Sequence, residues 1–148
     1  MYYKKNDCFH TIRILPMSKE EFNNASYESV QNNFFLGILQ HREYRFKSLG
    51  MKADSGTLVL FQYAGQIIAI AILEDIVFFE QPLNDIYTGA YQFDPKSIVV
   101  FDPITREETR SIWSNFKQFS QSKQILDPKL FDLLHTLLLS KKMKCAIS

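Results

Sequence analysis

The chain has 148 residues, 46% of them hydrophobic and 13 of them Phe, so it is long enough to bury an aromatic core as one domain, 1–148, and too apolar for global disorder. A formal net charge of +1 excludes whole-protein attraction to a polyanion and leaves only local basic patches as an electrostatic route to nucleic acid. Cys8 and Cys145, near opposite ends, fit no metal-ligand spacing, the start MYYKKND lacks a hydrophobic signal region, and no apolar run approaches the ~20 residues of a membrane span. A soluble, reduced, cytoplasmic protein is expected.

In chain order, FHTIRIL over 9–15 alternates, with Phe9, Thr11, Arg13 and Leu15 on one face and His10, Ile12 and Ile14 on the other; this predicts a first strand, ended by Pro16. Ser18 followed by Glu21 has the capping-box pattern and predicts a helix start with Phe22 and Ala25 inward. Asn23-Asn24 and Asn32-Asn33 weaken helicity, so the region to Leu39 reads as two short helices rather than one, with Gly37 marking a break or close approach. A basic-aromatic stretch, 41–52, follows: Arg42, Arg45, Lys47 and Lys52 stand against one acid, Glu43, with Tyr44 and Phe46 interleaved.

Segments 57–63 and 66–72 predict a hairpin around Ala64-Gly65, apolar on both faces and therefore central and covered on two sides. Residues 74–85 are acidic, with a short strand at Val77-Phe78-Phe79; 89–94 and 97–102 supply two more strands around Asp94-Pro95. Thr105 with Glu108 is a second capping box, opening a helix that turns Ile112, Trp113 and Phe116 inward. Asp127 caps a last helix starting at Pro128, with Leu130, Leu133, Leu134, Leu137 and Leu138 as its apolar face. Five or six strands, mostly sequence neighbours, with helices before, between and after them describe an α+β domain: a small mixed, largely antiparallel barrel with flanking helices.

Catalytic constellations are scarce. His10, His41 and His135 have no metal spacing, no Cys or Ser has a recognisable partner, and no cofactor is implied. The hairpin FQYAGQIIAIAILE faintly resembles the central strands of acyltransferases of the acetyl-coenzyme A type. That family needs a glycine-rich turn over the pyrophosphate, and the 5 glycines here are not clustered, so the reading is rejected. Two stretches suit nucleic acid. Arg42, Arg45 and Lys47, with their aromatic neighbours, suit a phosphate backbone and exposed bases. In FKQFSQSKQ, 116–124, Gln121 and Gln124 offer carboxamides for a base edge and Lys123 a cation for a phosphate. The bland alternatives are a solvated loop with two aromatics in the core, and a helix-linking turn whose polar groups cap nearby backbone.

The order GAYQFDPKSIVVFDPIT…IWSNFKQFSQSKQILD resembles the C-terminal half of small PUA-like barrels of the EVE and ASCH kind. More closely, it is similar to domains attached to HNH-type and modification-dependent restriction nucleases. The resemblance implies a PUA-like β-barrel that binds nucleic acid, taking a modified or flipped base into an aromatic-lined pocket, without catalysis of its own. No nuclease domain accompanies it, so an effector would be a partner protein. On this reading Arg42, Arg45, Lys47 and Lys123 form a cationic rim, with a base near Tyr91, Phe93 and Gln121. The alternative is a protein-interaction module on the same barrel, a phage, host-directed or defence-related factor; a third is a small enzyme whose site the sequence does not display.

The end of the chain, Lys141-Lys142-Met143-Lys144-Cys145-Ala146-Ile147-Ser148, has the form of a farnesylation box with a polybasic second signal. In a eukaryotic host cell it would prenylate Cys145 and anchor the protein to a membrane; in an ordinary bacterium it is incidental.

Overall fold

The computed structural model describes residues 1–119 and 124–145. Its framework is a mixed eight-stranded sheet in which β3 (Leu58–Tyr63) and β4 (Gln66–Leu83) form the antiparallel hairpin expected at its centre. Ala64 and Gly65 make the turn with φ of 54° and 78°, the left-handed conformation that a two-residue hairpin loop requires and glycine adopts without strain. On one side β3 pairs in parallel with β1 (Ile12–Pro16), which β7 (Ile125–Leu126) flanks. On the other, β4 carries β5 (Tyr87–Phe93), and β5 carries the short β2 (Tyr44–Phe46). β6 (Val99–Ile104) pairs with the inner half of β4 and bears β8 (Met143–Lys144). The main path runs open from β2 to β7; the sheet is α+β and mixed as expected, but no pairing closes it into a ring among the described residues.

The central hairpin is apolar on both faces because it separates two cores. Val59, Phe61, Tyr63, Ala69, Ala71 and Leu73 face one, with Phe34, Phe35, Tyr44, Tyr91 and Phe93; Leu58, Leu60, Ile67 and Ile70 face the other, with Trp113, Phe131, Leu134 and Leu138. The period-2 alternation of strand side chains thus sends neighbouring residues into different layers, except at Ile68 and Ala69, which share one core where the pairing shifts register. The expected short strand at 77–79 is the continuation of β4: from Glu74 outward the strand pairs only with β5, after a register shift between Leu73 and Asp75.

The first helical layer departs from expectation. Ser18 does not open a capping box; its Oγ accepts from Glu20 N at 3.2 Å, and a single 3-10 turn, Glu20–Phe22, results. Asn23 and Asn24 end it with φ of 56° and 55°, a conformation that Asn tolerates better than most side chains. Ser26 then caps α1 (Tyr27–Ser29), which widens into a π-helix, Val30–Phe35, where Leu36 N donates to Gln31 O at 3.0 Å. The chain breaks at Gly37 and finishes with a 3-10 turn, Ile38–Gln40.

The second layer follows the sequence more closely. α2 (Arg106–Ile112) has both halves of its capping box, with Glu108 N donating to Thr105 Oγ1 and Thr105 N to Glu108 Oε1. Trp113 and Phe116 are buried but lie beyond the helix, and Trp113 Nε1 donates to Asp127 O at 3.0 Å. Asp127-Pro128 opens a 3-10 turn, Pro128–Leu130, that leads into α3 (Phe131–Leu139). Asp94-Pro95 likewise opens a 3-10 turn, Pro95–Ser97, ahead of β6: in both, proline supplies no N–H and the Asp side chain accepts the next one, from Lys96 or Lys129. The buried face of α3 is Phe131, Leu134, His135 and Leu138; Leu133, expected inside, is 50% exposed, because it stands off the stripe that these four residues trace.

Candidate functional site

Three surface depressions surround β2. The main one, a cleft of about 380 Å³, lies between β2 and the layer running from the 3-10 turn at Glu20 through the π-helix. Phe34 and Tyr44 form its floor, while Phe22 and Tyr87, both partly exposed, hold ring surface towards its mouth. Its polar lining includes Glu21, Asn23, Asn33, Arg42 and Arg45. On one side, a depression of about 240 Å³ shares Glu21, Tyr44 and Arg45 with the cleft and adds Lys47 and Tyr91. On the other, one of about 280 Å³ shares Arg42 and adds Phe93.

β2 creates this arrangement by alternation. Tyr44 and Phe46 point into the core, opposite Tyr91 and Gly89 of β5, and Arg45 points out between them. Gly89 is required: a Cβ there would run into the carbonyl oxygen of Val77 and lie 2.5 Å from Phe46 Cζ. The π-helix supplies the opposite wall through Val30, Asn33 and Phe34, and Asn33 is oriented by donating to Ser29 Oγ at 3.0 Å. Such wide turns recur at functional sites because they displace side chains from ordinary helical spacing.

The charges at the rim are not equivalent. Arg45 Nε pairs with Glu43 Oε1 at 2.9 Å, and this hydrogen bond holds the Glu43 carboxyl below the ordinary carboxylate range. Arg42 donates to the backbone oxygen of Glu43 and is exposed. Lys47 is exposed.

The structure therefore brings Arg42, Arg45 and Lys47 together around one strand, as the basic-aromatic stretch predicts. It places Tyr91 and Phe93 deeper than expected, at 1% and 6% exposure. The Tyr91 hydroxyl accepts from Met51 N and donates to Met51 O, and Phe93 packs on Phe61 with ring centroids 5.0 Å apart, so both rings back the depressions from the core. Gln121 and Lys123 lie outside the described residues; Gln124 is partly buried. The residues that sequence reasoning missed are Glu21, Phe22, Asn23, Asn33, Phe34 and Tyr87. The Asn23-Asn24 doublet was the available signal, since adjacent asparagines mark a left-handed turn as readily as a weak helix.

Among the described residues, no cluster of His, Cys, Asp and Glu is arranged to hold a metal ion, and no helix is long and apolar enough to cross a membrane. His135, on the leucine helix, is buried with Nε2 3.3 Å from Tyr3 O.

No family model matches the chain, and no curated protein does. Among solved structures the chain is similar to the crystal structure of ASCH from Zymomonas mobilis, with 12% identity, a TM-score of 0.49, and a match covering 93% of this chain and 99% of that one. The functional reading rests on the cleft's own residues.

Proposed function

We propose that this chain is a nucleic-acid-binding module that holds an unpaired or flipped base, including a modified one, in the cleft beside β2. One observation carries the reading: two guanidinium groups, Arg42 and Arg45, and four aromatic rings, Phe22, Phe34, Tyr44 and Tyr87, converge on a single cleft of about 380 Å³. That volume falls in the range of roughly 300–1,000 Å³ typical of small-ligand sites. Aromatic walls suit the face of a base, and guanidinium groups at the rim suit its flanking phosphates. On this reading the open mixed sheet with its helical layers serves as the scaffold of a PUA-like fold. Arg42, Arg45, Lys47 and, beyond the described residues, Lys123 form the rim, with Gln121 near the base; Tyr91 and Phe93 support the pocket from behind.

The test is a binding screen of modified and unmodified single- and double-stranded oligonucleotides at two salt concentrations. Binding that weakens with salt is expected. Replacing Arg42 by Ala should weaken it for every sequence and reduce the salt slope by about 1, since a lost phosphate contact carries no base information.

A second reading, a protein-interaction module, is favoured by the outer half of the β4–β5 pair, where Phe78, Leu83 and Ile86 are 64%, 36% and 48% exposed. The two readings are compatible if the effector is a partner protein docking there.

A further inference from the structure

Tyr44 is only 6% exposed, and its hydroxyl makes no hydrogen bond among the described residues. The side chain lines both the main cleft and the depression next to it. Glu21 lines the same two depressions, is exposed, and makes no hydrogen bond or ion pair among the described residues. Burial, and after it the negative charge of Glu21, push the Tyr44 phenol well above its ordinary pKa, so it keeps its proton at any physiological pH. The hydroxyl is not among the buried unsatisfied atoms, so it reaches solvent at the floor of the cleft and is open to a ligand.

We propose that Glu21 and Tyr44 read the hydrogen-bonding edge of the base held in this cleft and select bases that carry an exocyclic amine, adenine, cytosine or guanine, over uracil and thymine. The inference rests on the nucleic-acid reading and names the class of base that reading leaves open. A carboxylate only accepts hydrogen bonds, whereas a tyrosine hydroxyl donates and accepts. Adenine and cytosine each present an amine N–H beside a ring nitrogen acceptor, which match Glu21 and Tyr44 in turn. Guanine presents two adjacent N–H donors to the carboxylate and a carbonyl oxygen to the hydroxyl. Uracil and thymine flank their single N–H with carbonyl oxygens, so one of these is forced against the second carboxylate oxygen. Arg42, at the same cleft, remains for a flanking phosphate, and Arg45 serves the other by exchanging Glu43 for it.

The experiment is a low-salt fluorescence-anisotropy titration of the full chain with labelled oligo(A), oligo(C) and oligo(U), repeated with Glu21→Gln and Tyr44→Phe. Glu21 is exposed, and Tyr44→Phe keeps the ring in place, so thermal melts close to wild type are expected for both. The wild type should bind oligo(A) or oligo(C) about tenfold more tightly than oligo(U). Glu21→Gln, which turns one acceptor into a donor, should bring the three within about threefold of one another, and Tyr44→Phe should weaken all three, since the hydroxyl donates to a ring nitrogen or a carbonyl oxygen alike. Equal wild-type affinity for all three overturns this inference and leaves nucleic-acid binding standing. A preference that survives both substitutions also overturns it. Failure of every oligonucleotide to bind overturns the inference together with the reading beneath it.

Discussion

The side chain of Gln31, fully buried, donates its amide to the carbonyl oxygens of Ile68 and Phe101 at 2.9 and 2.8 Å, while its own oxygen accepts from Lys144 Nζ at 2.7 Å. It thereby ties the π-helix, the central strand, β6 and β8 at one point. Replacing it by Leu removes the side-chain donor to two buried carbonyls and the acceptor of the Lys144 ammonium, and urea denaturation should show a loss of roughly 2–4 kcal/mol. At Gly89 the limit is steric: Ala there must displace Val77 backbone or the Phe46 ring, and a loss of roughly 1–3 kcal/mol is expected in the same assay. Glu43 has the opposite character. Its carboxylate competes with any phosphate for Arg45, so Glu43→Gln should tighten oligonucleotide binding at low salt, with the gain shrinking as salt rises. Unchanged affinity would show that Arg45 takes no part at the rim.

Two segments with the same capping pattern end differently, and the elements around them explain why. Thr105 and Glu108 close a full capping box because residues 106–112 continue as a helix buried through Thr109 and Ile112. Ser18 and Glu21 do not, because the Asn23-Asn24 pair turns left-handed one residue after the 3-10 turn. Thr105→Ala should cost about 1 kcal/mol by thermal or chemical denaturation. Glu108 also accepts from Lys141 Nζ at 2.8 Å. Burial raises its pKa, but the hydrogen bonds from Lys141 and the Thr105 backbone outweigh it and the net shift is downward. A carboxyl with a depressed folded pKa contributes stability above its unfolded pKa and loses it as the pH falls through the folded one. The stability gap between wild type and Glu108→Gln should therefore be full at neutral pH and close as acid is added below the ordinary carboxylate range. A gap that stays constant down to that range would contradict the pairing. The hairpin, both Asp-Pro turns and the second cap were legible because each is set by neighbouring residues. Of the outer half of β4 only 77–79 was, because the acidic residues on either side break the alternation that announces a strand.

Over the whole molecule, the basic C-terminal segment is largely committed to the fold. Lys141 binds Glu108 and the backbone oxygen of Pro103, and Lys144 binds Gln31 and lies 5.5 Å from the Tyr27 ring centroid, leaving Lys142 as the exposed lysine of the three. Cys145 is exposed, and residues 146–148 lie outside the described residues. With its electrostatic second signal spent on internal contacts, the segment should not hold the protein at a membrane. Wild type and Cys145→Ser are expected to fractionate alike from eukaryotic cells; a Cys145-dependent shift to membranes would restore the anchor. The cationic part of the cleft was legible because Arg42, Arg45 and Lys47 adjoin in sequence. Glu21, the Asn33-Phe34 pair and Tyr87 come from three separate elements, and only tertiary packing around β2 assembles them. Tyr91 and Phe93 read as surface aromatics in a short strand, but they share the inward face of β5, and alternation buries them both. Backbone amide shift mapping with a single-stranded oligonucleotide at low salt tests the cleft most directly. Shifts concentrated at Glu21–Asn23, Asn33–Phe34, Arg42–Arg45 and Tyr87 are predicted, and no shifts, or shifts confined to the outer β4–β5 pair, would contradict the assignment.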